Sequence, residues 1–136
     1  MYQFDTQIRV RYADTDQMGY VYYGNYSRYY EIARVESLRN LGLTYRELEE
    51  MGVMMPVLEN HSTYKAPALY DELLTVRTIV SEMPGVRIKF NYEITNESNK
   101  LIHLGETLLV FVDMKSGRPC RMPDHMAKVL SPFFES

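Results

Sequence analysis

The stretch Asn25-Tyr26-Ser27-Arg28-Tyr29-Tyr30-Glu31-Ile32-Ala33-Arg34-Val35-Glu36-Ser37-Leu38-Arg39-Asn40-Leu41 decides the fold. At 100° per residue, Tyr26, Tyr29, Tyr30, Ala33, Ser37 and Leu41 fall in one arc of roughly 120°. Ile32, Val35 and Leu38 lie outside that arc. The apolar surface is wider than a peripheral helix requires, so more than one layer is expected to pack on it. Asn25 is placed to cap the start of this helix and Gly42 to stop its end. Glu31 with Arg34, and Glu36 with Arg39, have i,i+3 spacing and read as solvated helix support worth about 0.3 kcal/mol each.

The flanking sequence has a different period. Upstream, residues 6–12 alternate, with Ile8, Val10 and Tyr12 on one side and Gln7, Arg9 and Arg11 on the other, as in a half-buried strand. Downstream, residues 44–51 read as a short helix with Thr44 as cap, Glu47 three residues on and Gly52 past the end. Four strand-like runs follow, at about residues 56–65, 72–82, 86–95 and 101–112. In the third, Val86, Ile88, Phe90, Tyr92 and Ile94 face one way while Arg87, Lys89, Asn91 and Glu93 face the other. Pro84-Gly85 and Asn96-Glu97-Ser98-Asn99 are turn signals, so the last three runs form an antiparallel meander. Ser116-Gly117-Arg118-Pro119 marks another turn, and Pro123 opens a short helix over residues 124–130. No βαβ alternation is present, so the expected class is α+β, an antiparallel sheet wrapped around one long helix. No repeat, low-complexity segment or linker divides the chain, so residues 1–136 are expected to form a single domain.

Composition narrows the function classes. The net charge of −3 provides no general attraction to nucleic acid or anionic membranes. Cys120 is the only cysteine and has no internal partner, which fits a reduced, cytoplasmic protein. Met1-Tyr2-Gln3-Phe4-Asp5 lacks the basic and apolar regions of a signal peptide, and no apolar run reaches membrane-spanning length. Seven of the 12 tyrosines lie between Tyr12 and Tyr30, which points to a core, an interface or a substrate cleft rich in aromatic rings.

The segment before the long helix carries the chemistry. Asp14-Thr15-Asp16-Gln17-Met18-Gly19-Tyr20-Val21-Tyr22-Tyr23-Gly24-Asn25-Tyr26 sets two carboxylates beside a glycine-hinged loop that runs into a helix start. A carboxylate there can attack a carbonyl or activate water, and free amides at the helix end can hold the resulting oxyanion. Asp14 and Asp16 alternate around Thr15, so one is expected to brace the loop and the other to face the cleft; spacing does not say which. Other readings of the segment fail. A calcium loop starting at Asp14 would need oxygen ligands at Met18 and Asn25. The Gly19 to Gly24 spacing of a P-loop is followed by Asn25-Tyr26 instead of Lys and Ser/Thr. His61, His103 and His125 lack metal-ligand spacing, and Cys120 has no nearby His, so no metal site is expected and Cys120 reads as packing.

Arg11-Tyr12-Ala13-Asp14-Thr15-Asp16 through Tyr26, continuing to Tyr30-Glu31-x-Ala33-Arg34, resembles the signature of hotdog-fold acyl-CoA thioesterases of the 4-hydroxybenzoyl-CoA thioesterase type. It is also similar to the short-chain acyl-CoA thioesterases associated with the Tol-Pal system. Pro56-Val57-Leu58-Glu59, Tyr64-x-x-Pro67-Ala68-x-Tyr70-Asp71-Glu72-Leu73-Leu74 and Gly117-Arg118-Pro119 extend the likeness over nearly the whole chain. The resemblance implies a hotdog fold, a five-stranded antiparallel sheet curled around the long helix. It further implies a homodimer with two interface active sites, pairing into a dimer of dimers. It places the catalytic carboxylate at Asp16 and the oxyanion-binding amide at Tyr23. Gly24 stands where many relatives carry His or Pro.

Under this resemblance Gly19 permits the turn that brings Asp16 to the helix, and Asn25 caps the helix and holds the loop. Arg87, Lys89, Arg118 and Arg121 are the candidate contacts to CoA phosphates, against a plainer reading as a solvated basic face. The expected activity is hydrolysis of an acyl-CoA to free acid and CoA, with no cofactor. The alternative is a non-catalytic module that binds acyl-CoA or an acyl carrier. A hydratase on the same fold would need a His beside a carboxylate in the cleft, and neither the loop nor the long helix contains one.

Overall fold

The computed structural model describes residues 1–135. In chain order the elements are β1 (Tyr2–Arg9), α1 (Tyr26–Asn40), α2 (Tyr45–Glu50), β2 (Val53–Met54), β3 (Val57–Tyr64), β4 (Leu73–Val80), β5 (Arg87–Thr95), β6 (Leu101–Val110), β7 (Val112–Asp113) and α3 (Asp124–Leu130). Five strands form one antiparallel sheet in the order β1-β4-β5-β6-β3, and β2 and β7 pair as a separate ribbon. The sheet curls around α1, which is the hotdog arrangement.

Side-chain alternation explains the wrapping. On β5, Ile88, Phe90, Tyr92 and Ile94 are all fully buried, while Arg87 and Lys89 point to the outer face. The helix answers with Tyr26, Tyr29, Tyr30, Ala33, Ser37 and Leu38, all buried. Each such large side chain contributes about 1.5–3 kcal/mol of burial. The Tyr30 ring lies parallel to that of Tyr92 with 4.3 Å between centroids. Gly42, at φ +82°, ends α1 in the left-handed conformation that glycine favours. Thr44 caps α2 by accepting from the Glu47 N–H at 3.1 Å.

Four details differ from expectation. The first strand starts at Tyr2, because the alternation of Tyr2, Phe4, Thr6 and Ile8 pairs residue by residue with β4 from Tyr2↔Val80 to Arg9↔Leu73. Beyond Arg9 the chain turns: the Asp14 carboxylate accepts from the Arg11 N–H and rolls residues Tyr12–Asp14 into a 3₁₀ turn, which throws Tyr12 into solvent. The side chain of Asn25 does not cap α1, because it is committed elsewhere, and a 3₁₀ turn at Tyr23–Asn25 leads into the helix instead. Arg34 is not a solvated partner of Glu31. It is buried, and its guanidinium donates to the hydroxyls of Tyr45, Tyr92 and Thr107 at 3.3, 3.0 and 3.3 Å.

The two edges of the sheet are unlike. β1 is packed under α1, whereas all eight residues of β3 are exposed, including those on the side facing the helix. Among the described residues no helix is long and apolar enough to cross a membrane.

Candidate active site

The two aspartates have separate surroundings. Asp14 is buried, and its carboxylate accepts from the Tyr29 hydroxyl and the Arg11 N–H, both at 2.9 Å, and pairs with the Arg28 guanidinium. Its carbonyl accepts from the Tyr22 N–H at 2.9 Å and from the Asn25 side-chain amide at 2.8 Å. Asp14 therefore braces the loop against α1, and Asn25 ties the loop back to it.

Asp16 is exposed. It opens a tight reversal in which its N–H donates to the Tyr20 carbonyl at 2.8 Å and the Gly19 N–H donates to the Asp16 carbonyl at 3.0 Å. Gly19 takes φ +77°, a conformation that disfavours other residues, and so permits the reversal. Oδ1 of Asp16 accepts from the Met18 N–H at 2.9 Å and, more weakly, from the Tyr20 N–H at 3.4 Å. Oδ2 has no partner among the described residues and remains free for chemistry. The reversal is anchored from outside by the Val21 N–H on the Ala68 carbonyl at 2.9 Å.

Asp16 borders a hollow of about 450 Å³. Tyr20, Val21, Tyr23 and Tyr26 line it from the loop and helix start, and Tyr64 at the end of β3 with Lys65, Ala66 and Pro67 just after it line the other side. Tyr23 and Gly24 begin the 3₁₀ turn, and their N–H groups have no acceptor among the described residues. Gly24 is overlain by the Tyr22 ring, and a Cβ there would meet a ring carbon at 2.7 Å. A side chain at that position would require the exposed Tyr22 ring to swing aside. Tyr26 is pushed up to about 12, mainly by burial, and so stays neutral at physiological pH.

Asp16 and Tyr23, the residue that opens the helix-start turn, share one aromatic hollow, an arrangement suited to acyl transfer. Residues 10–130 match the thioesterase-like superfamily. The chain belongs to that superfamily. It is 35% identical to the putative acyl-CoA thioesterase YneP of Bacillus subtilis over 83% of this chain and 82% of that one. It is likewise 35% identical to the acyl-CoA thioester hydrolase YbgC of Escherichia coli over 88% and 90%. Among solved structures, a DHNA-CoA thioesterase from Staphylococcus aureus superposes with a TM-score of 0.87 at 33% identity, covering 100% of this chain and 97% of that one.

In this member of the thioesterase-like superfamily the four basic residues singled out in the sequence do not line the hollow. Arg87 and Lys89 lie on the outer face of β5, where Lys89 pairs with Glu106 at 3.4 Å. Arg118 sits in the turn after β7, its carbonyl accepting from the Asp113 N–H. Arg121 lies beside the start of β5, since the neighbouring Met122 N–H donates to the Gly85 carbonyl at 2.8 Å. Lys65 is the cation that does line the hollow. It was within reach of sequence reading only as the residue after Tyr64 in the Tyr64-x-x-Pro67-Ala68 segment.

Proposed function

We propose that this chain hydrolyses acyl-CoA thioesters to free acid and CoA. The observation that carries the reading is that Asp16, with one carboxylate oxygen free, shares a hollow with the start of the helix turn whose Tyr23 and Gly24 amides lack acceptors. The activities named for YneP and YbgC support it.

In the proposed reaction the thioester carbonyl lies over the helix start, and its oxygen accepts from the Tyr23 amide with Gly24 as neighbouring donor. Asp16 then either attacks the carbonyl carbon, expelling CoA thiolate and leaving a mixed anhydride for water to cleave, or takes a proton from water as that water attacks. Both routes use water as the only co-reactant. Met18 and Tyr20 donate to Oδ1 and fix the carboxylate's direction, so the other oxygen points consistently. Lys65 is the nearest cation for the CoA side of the substrate, and Arg87, Lys89, Arg118 and Arg121 would serve only from a second copy.

The assembly proposed is a homodimer, formed by pairing at β3 and able to pair again. Its support is an unpaired edge strand exposed on both faces, carrying Val57, Leu58 and Tyr64. The half-buried Ile32 and Val35 of α1 leave room for a further layer.

The test is free-thiol release from short, long and aromatic acyl-CoAs with wild type and Asp16→Asn. Release by wild type that collapses in the variant supports the reading. Saturable CoA binding with no release from any substrate would favour a binding module instead.

A further inference from the structure

Behind the hollow lies a residue that the reaction does not use. His103 on β6 is fully buried, on the helix-facing side of the sheet, and pairs across the strands with Tyr64 and Ile94. Its imidazole lies flat on the Tyr26 ring, 4.0 Å between centroids and 2° between planes. The Tyr64 ring meets it edge-on at 5.0 Å, and Tyr26 and Tyr64 meet each other edge-on at 5.5 Å. Tyr26 and Tyr64 both line the Asp16 hollow, whereas His103 does not. The three rings form a corner, and the hidden one touches both of the visible ones.

Polar contacts fix the hidden ring. Nε2 of His103 is bonded to the Tyr30 hydroxyl, which in turn lies 2.6 Å from the Ser62 hydroxyl. Nδ1 is buried without a partner. A buried orphan N–H is rarer and costlier than an orphan lone pair, which places the proton on Nε2. The chain then runs one way: Nε2–H donates to Tyr30, and Tyr30 donates to Ser62. Burial pushes the imidazole down to about 4, which keeps it neutral and keeps that direction at physiological pH. Ser62 stands two residues before Tyr64 on β3, so the strand segment carrying the Tyr64 wall is pinned to the same imidazole through Tyr30.

We propose that His103 is a positioning residue for acyl-group selection, holding Tyr26 and Tyr64 in the one arrangement that defines the depth of the hollow. The inference rests on the hollow being the acyl site. A pocket discriminates acyl groups by fit, and a wall free to move loses that discrimination before it loses chemistry.

The experiment measures kcat and KM for acetyl-, hexanoyl- and benzoyl-CoA with wild type, His103→Leu, His103→Phe, Ser62→Ala and Asp16→Asn. His103→Leu removes both ring and donor. It should change the ratio of kcat/KM between the largest and smallest acyl groups by about tenfold, carried in KM, with kcat on acetyl-CoA within about threefold of wild type. His103→Phe keeps a flat ring against Tyr26 but loses the donor that reaches Ser62 through Tyr30, and should restore the ratio only in part. Folded His103→Leu with wild-type ratios, or with equal losses on every substrate, overturns the proposal. If His103→Leu does not fold, Ser62→Ala on the exposed strand decides: it must move the same ratio in KM, and an unchanged ratio overturns the proposal. Asp16→Asn is the separate control, since full activity in that variant removes the acyl-site reading itself, whatever the His103 variants do.

Discussion

The hydroxyl of Tyr29, in the first turn of α1, donates to the carboxylate of Asp14 at 2.9 Å, inside the protein and away from the hollow. This contact, with the Arg28 ion pair, gives Asp14 a bracing role in the loop. Asp14→Asn should therefore act on stability. An amide there can keep its oxygen for the Tyr29 hydroxyl and the Arg11 N–H, which share one carboxylate oxygen, but it turns its NH2 group toward the Arg28 guanidinium and removes the charge paired with it. The expected loss is about 2 kcal/mol, since Arg28 is half exposed and regains water. Chemical denaturation reads it, and thioester hydrolysis should fall far less than in Asp16→Asn.

Asp16→Asn should leave stability unchanged, because the Asn side-chain oxygen can still accept from the Met18 N–H. Hydrolysis should fall about 10³-fold or more, since a positioned acid or base alone supplies ~10²–10⁴-fold. Equal rates in variant and wild type would remove Asp16 from the mechanism.

Gly19→Ala tests the reversal that presents Asp16. The space around Gly19 is open, so the penalty comes from φ +77° alone. A loss of about 1 kcal/mol is expected. The relaxed turn should also lower kcat with little change in KM, as measured by steady-state kinetics. A variant with wild-type stability and rate would show that the turn does not depend on glycine.

His103 predicts a pH dependence of folding. Its folded value of about 4 lies below the unfolded value of 6.5 because the neutral ring is buried. Above pH 6.5 the imidazole is neutral in both states and contributes no difference. As pH falls from 6.5 towards 4 the unfolded chain binds a proton that the folded chain refuses, so stability falls and then levels. The full span corresponds to on the order of 3 kcal/mol. Urea titrations at pH 7 and pH 4.5 should show that slope in wild type and a shallower one in His103→Phe.

Much of the fold was legible because its signals are local. The 3.6-residue period around Tyr26, Tyr30, Ala33 and Ser37, the strict alternation of Ile88 to Ile94 and the turns at Pro84-Gly85 and Asn96 each depend on neighbours in sequence. Three things were not legible from local pattern. Spacing alone did not say which aspartate braces the loop, because Asp14 is held there by Arg28 and Tyr29, a helix turn that folds back over the loop. The burial of Arg34 is made by hydroxyls from Tyr45, Tyr92 and Thr107, far apart in sequence, so its i−3 neighbour Glu31 suggested an ordinary surface pair. Lys65 was overlooked for a similar reason: only the pairing of β3 with β6 carries it to the hollow.

Tyr64 closes β3 and is also a wall of the hollow, with its hydroxyl 3.5 Å from the Tyr23 carbonyl at the helix start. The exposed edge strand and one wall of the hollow are thus one piece of backbone. In the proposed dimer a second copy along that strand would retune the hollow, so specific activity is expected to depend on protein concentration, declining on dilution even while every polypeptide stays folded.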